Sequence, residues 1–296
     1  MCGICGEIRF DGAQPSVTAV SMMADALAPR GPDGAGVVVR GNVGLGHRRL
    51  RILDLSDKSQ QPMIDADLGL TIVFNGCIYN FRELRAELEG KGYRFFSDGD
   101  TEVILKAWHA WGERCVERFH GMFAFVIHER DTGRVVMARD RFGIKPLYLS
   151  ERGKQVRFAS ALPALLRAGD VDTSIDRVAL QFYMSFHAVV PAPRTILAGI
   201  GKLPPATIRI YERDGTFADR RYWDPAYERR AEDGGMTRED WQEELLAALR
   251  LAVKRRMVSD VPVGVLLSGG VDSSLIVGLL AEAGQTGLMS FSVGFE

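Results

Sequence analysis

Apolar positions along the chain switch between two periods. "EIRF" predicts a strand and the Asp-Gly after it a turn; Val17, Val20, Met23, Ala24 and Leu27 then recur at helical spacing. "AGVVVR" and "NVGLGHRR" predict a hairpin, and "LGLTIVFNG" a buried strand ending on Asn-Gly. "NFRELRAELEGKG" predicts a helix closed by glycine, and "TEVILKAWHAWG" another. "GMFAFVIHERDTGRVVMARD" sets two apolar runs around Asp-Thr-Gly, a strong hairpin pattern. "LYLSE" and "QVRFAS" continue as strands, "SIDRVALQFYMSF" as a helix, and "ATIRIYERDGTFADRRYW" as a hairpin around Asp214 and Gly215.

The pattern changes between about 224 and 236, where "DPAYERRAEDGGM" is polar and broken by proline and glycine, as in a linker. Thr237 and Asp240 then form a capping box ahead of Trp241, Leu245, Leu249, Val253 and Met257, an apolar stripe whose spacing points to packing. A strand "VPVGVLL", a loop "SGGVDSS", a helix "LIVGLLAEAG" and a strand "LMSFSVGF" follow, which make a βαβ unit of a parallel α/β domain. One such unit cannot cover both faces of a parallel sheet, so residues 237–296 read as the start of a domain with apolar strand surface exposed.

Composition narrows the class. Of 296 residues, 46% are apolar and 25% charged, a globular composition with ample core material. Lys plus Arg number 37 and Asp plus Glu 38, so no overall basic field attracts nucleic acid. No run of about 18 apolar residues predicts a membrane span, and the N-terminus lacks the basic-then-apolar order of a signal peptide. The four cysteines fit reduced thiols in a cytoplasmic protein better than a disulfide framework.

Two stretches carry candidate chemistry. "MCGICG" contains a C-x-x-C, which serves in redox pairs and in zinc sites; here no strand precedes it, and Cys77 and Cys115 do not complete a ligand set. Alternatively Met1 is removed and Cys2 becomes an N-terminal nucleophile, with its α-amine as its own general base. The second stretch, "LLSGGVDSSLI", follows a buried strand and opens a helix, where backbone N–H groups receive phosphate. Gly269 and Gly270 allow close approach, Ser268, Ser273 and Ser274 add hydroxyl donors, and Asp272 suits such a site if Mg²⁺ bridges it to phosphate. The absence of G-x-x-x-x-G-K-[ST] excludes a Walker loop.

This loop resembles the PP-loop of ATP pyrophosphatases, and "GVLLSGGVDSS" is similar to that of asparagine synthetases. The resemblance implies backbone contacts to adenine at Leu267 and Val293, with residues 268–274 around the phosphates and Mg²⁺ at Asp272. The N-terminal part resembles the class II glutamine amidotransferase domain, an Ntn-hydrolase. The motifs that carry this are "CGICG", "RGPDG" at 30–34, "GHRRL" at 46–50, "FNGCIYN" at 74–80, "GDTEVIL" at 99–105, "GMFAF" at 121–125 and "ARDRFGIKPLY" at 138–148. The combination is that of glutamine-hydrolysing asparagine synthetases, carbon–nitrogen ligases with glutamine as amido donor.

The resemblance implies an α+β Ntn-hydrolase domain (an αββα sandwich) over residues 2–210, a connecting hairpin and linker over 211–236, and the start of the ATP-binding domain over 237–296. It makes Cys2 the nucleophile, with the Asn75 side chain and the Gly76 N–H as oxyanion donors. Glutamine would be held by Arg49 on its α-carboxylate, Asp100 on its α-ammonium, and Leu50, Ile52, Leu53 and Cys77 around it. Taken singly, Arg49 reads as a surface arginine, Asp100 as a helix cap, and Asn75-Gly76 as a hairpin turn. Two positions depart from the family: Cys77 stands where "NGEIYN" often has glutamate, and Ala161 where "ASE" has an acid. The Cys77 form is most similar to a subfamily amidating N-acetylglutaminylglutamine. The implied partners are glutamine, ATP and a carboxylate acceptor, either aspartate or a peptide-like acid; a homodimer is compatible with the resemblance. An aminating sugar synthase would share the N-terminal motifs but lack "SGGVDSS"; a non-catalytic scaffold, or a lactam-forming relative, would tend to lose Cys2 or Asn75, and both are present.

Overall fold

The computed structural model describes residues 1–229, 231–285 and 287–294. The chain divides into two compact units, Met1–Asp224 and Pro225–Glu296. In the first, strand β1 (Gly3–Arg9) leads through helix α1 (Val17–Ala26) to the hairpin β2 (Gly34–Arg40) and β3 (Val43–Arg49). A short β4 (Met63–Asp65) precedes the long β5 (Leu70–Ile78), and then come helices α2 (Phe81–Gly90), α3 (Asp100–Trp111) and α4 (Cys115–Arg118). Strands β6 (Gly121–Glu129), β7 (Val135–Arg139), β8 (Tyr148–Arg152) and β9 (Gln155–Ala159) follow without an intervening helix. Helices α5 (Leu162–Arg167) and α6 (Arg177–Ser185), strand β10 (Gly201–Lys202), and the hairpin β11 (Thr207–Tyr211) and β12 (Phe217–Arg221) complete the unit.

The strands form two six-stranded antiparallel sheets, ordered β10-β8-β9-β1-β3-β2 and β12-β11-β7-β6-β5-β4. Ile4, Ile8 and Leu45 of the first sheet share a core with Val73, Val126 and Met137 of the second. On its other face the first sheet carries α1 and α5, through Cys5, Val20, Met23, Ala24 and Leu165. Helix α3 lies against β4 and β5 of the second sheet, with α2 beside it. This makes four layers, helix–sheet–sheet–helix. Antiparallel strands with one wet face alternate apolar and polar residues, whereas strands covered on both faces lose the alternation. That is why β1, β5, β6 and β7 are buried at nearly every position, and why "GMFAFVIH" is an unbroken apolar run.

Two sequence expectations change. Strand β5 does not end on Asn75-Gly76 but runs on to Ile78, with Asn75 opposite Ala124 and Gly76 opposite Phe123. The hairpin set apart as a connector from 211 instead supplies two strands of the second sheet, because β11 pairs with β7, so the first unit extends to Asp224. Ala161 starts α5 with no side-chain hydrogen bond and packs against the apolar cluster under α1, a place that suits a methyl group.

In the second unit the capping box forms: the Thr237 hydroxyl accepts from the Asp240 N–H at 3.2 Å, opening α7 (Arg238–Arg256). Strand β13 (Gly264–Leu266), helix α8 (Val271–Glu282) and strand β14 (Met289–Phe291) make a parallel two-stranded βαβ unit. Val253 of α7 packs on Leu279 and Leu280 of α8, whereas Leu266, Met289, Phe291 and Val293 are exposed. Phe295, the last residue of the "LMSFSVGF" stretch, lies outside the described residues. Among the described residues no helix is long and apolar enough to cross a membrane.

Candidate active site

Cys2 stands immediately before β1, beside the end of β3. Its Sγ lies 3.5 Å from the Leu50 carbonyl and accepts the Leu50 N–H at 3.3 Å, so the thiol is held by the first residue beyond β3. Arg30 Nε donates to the Cys2 carbonyl at 3.1 Å. Burial raises the Cys2 thiol above its ordinary value and lowers the amine of residue 1, the latter assisted by the charges of Arg30 and Lys145. Cys5 does not join Cys2. Residues three apart on a strand face opposite sides, and Cys5 is buried beneath α1, its thiol pushed up to about 12 by burial. All four cysteines are free, and among the described residues no group of three or more His, Cys, Asp or Glu is placed to hold a metal.

Cys2 opens onto a cavity of about 190 Å³. Arg49, Leu50, Ile52, Leu53, Asn75, Gly76, Cys77 and Asp100 all line it. Arg49 is not at the surface: it is buried, and its guanidinium donates to the Ser56 carbonyl at 2.7 Å and to the Asp54 carbonyl. Asp100 does not cap α3, which is capped by Gly99; its Oδ2 accepts the Ile78 N–H at 2.9 Å from the end of β5. Gly76 is required by close packing, since a Cβ there would lie 2.3 Å from the Met122 carbonyl oxygen. The Asn75 side chain is buried, and neither its Nδ2 nor its Oδ1 has a partner. Stranding a buried polar atom costs about 1–3 kcal/mol, a cost that a bound ligand could recover.

The sequence profile of the glutamine amidotransferase domain matches residues 1–223. The chain belongs to the glutamine amidotransferase domain family. Beyond this domain, residues 244–296 match the asparagine synthase family. Asparagine synthetase [glutamine-hydrolyzing] 1 of Bacillus subtilis (strain 168) is 40% identical over all of this chain and 46% of its own length. Asparagine synthetase [glutamine-hydrolyzing] 3 of the same organism is 33% identical over all of this chain and 48% of its own. The chain therefore spans about half the length of these curated relatives. Among solved structures, glutamine phosphoribosylpyrophosphate amidotransferase from B. subtilis, complexed with ADP and GMP, covers 98% of this chain and 65% of its own at a TM-score of 0.57 and 18% identity. That likeness, with two helix-covered antiparallel sheets, establishes the Ntn-hydrolase fold of the amidotransferase domain.

Around the cavity the amidotransferase domain is braced by residues to which no motif assigned a role. Gln61 Oε1 accepts the Phe74 N–H at 2.6 Å and its Nε2 donates to Thr101 Oγ1 at 3.2 Å, tying the strand at Asn75 to the helix at Asp100. His47, lowered to about 3 by burial and so neutral, places Nε2 3.2 Å from the Phe74 carbonyl, the other polar group of the same peptide neighbourhood. Burial alone would raise Asp54, but hydrogen bonds from Ser56 and Ser59 bring it down to about 2, fixing the loop that holds Arg49. Of these, His47 and Thr101 lie within the runs at 46–50 and 99–105, whereas Gln61 and Ser59 carry no local signal.

Asp100 makes the amidotransferase domain pH-sensitive. Burial pushes its carboxyl up to about 7 in spite of the Ile78 N–H. The folded protein therefore binds this proton more tightly than the unfolded chain, and Asp100 costs stability as pH rises from about 4 to about 7. In the absence of ligand the wild type is expected to lose up to about 4 kcal/mol relative to Asp100→Asn across that window. Denaturant titrations of both proteins at the two pH values test this; a difference independent of pH would refute it.

In the second unit Leu267 donates its N–H to the Phe291 carbonyl at 2.8 Å, and Ser292 Oγ donates to the Leu267 carbonyl at 2.6 Å, bringing Leu267 and the segment leading to Val293 to adjacent strand ends. Gly269 adopts φ +82°, which a side chain would resist, and Gly270 caps α8 without a side-chain hydrogen bond. Ser268 and Ser273 Oγ atoms lie 3.1 Å apart, and Ser273 and Ser274 both donate to the Gly270 carbonyl. The first-turn N–H groups of a helix such as α8 have no intrahelical acceptor, a geometry that suits an anion. Asp272 is exposed in that first turn and offers one carboxylate. That fits Mg²⁺ only together with phosphate oxygens, its usual mode in nucleotide sites.

Proposed function

We propose that the chain carries the glutaminase part, and the beginning of the ATP-binding part, of a glutamine-dependent amidotransferase of the asparagine synthetase type. The observation that carries the reading is the buried, unpartnered Asn75 amide in one cavity with Cys2. The Cys2 thiol attacks the side-chain amide carbon of glutamine, and its proton passes to the α-amine that loss of Met1 exposes. Asn75 Nδ2 and the Gly76 N–H receive the oxyanion. Collapse, with that proton passed from the amine to the departing nitrogen, releases ammonia and leaves a γ-glutamyl thioester, which water cleaves to glutamate. Arg49 spends two of its five N–H donors on backbone carbonyls and keeps the others for the substrate α-carboxylate. Asp100 takes the α-ammonium, whose charge draws the carboxyl into its ionised form.

For the second half, residues 268–274 would hold the phosphates of Mg·ATP, with Leu267 and Val293 at the adenine and Asp272 on the ion. Bound there, ATP supplies the activation of an acceptor carboxylate as an acyl adenylate, on which ammonia then forms an amide. The acceptor is aspartate, or a peptide-like acid such as N-acetylglutaminylglutamine. A cytoplasmic setting agrees with four free thiols.

Incubation with glutamine, Mg·ATP and candidate acids tests both halves. Glutamate and ammonia are expected from the 296-residue chain. Amide and pyrophosphate, assayed separately, read the second half. Intact-mass measurement of the active protein should show loss of Met1. Full glutaminase activity with Met1 retained would overturn the reading.

A further inference from the structure

Lys145 lines the same cavity, and the chemistry above gives it no part. Its backbone is fixed on both sides: its N–H donates to Asp140 Oδ2 at 2.9 Å, and its carbonyl accepts Arg139 Nε at 2.8 Å. The residue is only 2% exposed, yet among the described residues it forms no ion pair. Its Nζ instead lies 2.7 Å from Met1 Sδ. A thioether is a poor partner for a buried ammonium, a charge that is costly without an ion pair, and burial, with the charge of Arg30, lowers the Lys145 pKa from its ordinary value. Removing Met1 takes even that partner away.

We propose that Lys145 is a positioning residue for the nucleophile: once Met1 is gone, its ammonium lies beside the Cys2 α-amine and keeps that amine unprotonated near neutral pH, ready to receive the thiol proton. The inference rests on the glutaminase reading. The surrounding charges do not cancel the Lys145 field. Arg30 and Arg49 add to it. Asp33 is engaged by the Arg51 N–H, and Asp140 by the N–H groups of Phe123, Phe142, Ile144 and Lys145. Asp100 is driven toward its neutral form by burial. Where glutamate often stands in the family, Cys77 is an uncharged thiol pushed well above its ordinary value by burial. A carboxylate at 77 would neutralise Lys145; the thiol leaves its field intact.

The test compares wild type with Lys145→Met, Lys145→Arg and Cys77→Glu. Two midpoints are read: the acid limb of glutaminase kcat/KM, and the pH dependence of Cys2 alkylation by iodoacetamide, followed by peptide mass without glutamine. In Lys145→Met and Cys77→Glu both midpoints should rise by about one pH unit, the effect of cancelling one cation that shares the cavity. Lys145→Arg should stay at the wild-type value. Unmoved midpoints in Lys145→Met, or an equal rise in Lys145→Arg, would overturn the proposal, because a merely structural lysine would not sort variants by charge. If Lys145→Met does not fold, Cys77→Glu decides by the same criterion. If the wild type releases no glutamate, the proposed function fails, while the alkylation midpoints still decide the influence of Lys145 on Cys2.

Discussion

Cys2→Ala is expected to lower glutamine hydrolysis by at least about 10⁴-fold, the scale on which loss of a covalent nucleophile acts. No second thiol can substitute. Cys5 and Cys115 are buried in the hydrophobic interior, and Cys77, though it lines the cavity, is buried with its thiol driven far from ionisation. The fold should survive, since Sγ contributes only two long contacts to Leu50, together worth about 1 kcal/mol or less. In a longer protein with a complete second half, synthesis from free ammonia should persist, because the loop at 268–274 belongs to a separate compact unit. Glutamate release, with thermal melting as the control for folding, reads the result. Residual activity above about one per cent in a folded variant would remove Cys2 from the chemistry.

Asn75→Ala should lower kcat by roughly 10²–10³, the usual effect of losing one oxyanion donor, with a smaller change in KM. It should also leave stability within about 1 kcal/mol of the wild type or raise it. Most buried asparagines hold something, and truncating them strands a partner. The Asn75 amide has no partner to strand, so deletion relieves a desolvation cost that offsets the small cavity left behind. Activity would then fall without a matching loss of stability, which separates a group kept for a ligand from one kept for the fold. A variant that loses activity and several kcal/mol together would place Asn75 in the structure instead.

Much of this arrangement was legible in the sequence, because the two central sheets are buried on both faces and so leave long apolar runs. The Asn-Gly at 75–76 was misread as the end of a strand for a physical reason. Locally that dipeptide favours a hairpin turn, but pairing of Asn75 with Ala124 and Gly76 with Phe123 overrides the preference and holds both residues extended. Taken alone Arg49 looks like a surface arginine, and only the family resemblance points it at glutamine; its partners are backbone carbonyls at 54 and 56, which leave no compositional trace. The late hairpin looked like a connector because its pairing with β7 joins positions some seventy residues apart, Ile208 with Ala138 among them. Lys145 lies within the run at 138–148, but nothing local marks its place in the cavity, since its contact with Met1 spans 144 positions.

Strand β1 lies inside its sheet, with β9 on one side and β3 on the other, and Cys2 precedes its first residue. Chain termini usually fray and tolerate additions; this one is clamped along its length and emerges into the cavity. Anything attached ahead of Cys2 must leave through the mouth of the pocket it would share with substrate. A purification tag fused at the N-terminus should therefore yield a folded but inert protein, and so should a protease-cleaved tag that leaves one residue behind. For anyone producing this protein, the choice of where to put a handle decides in advance whether the proposed glutaminase activity can be tested at all.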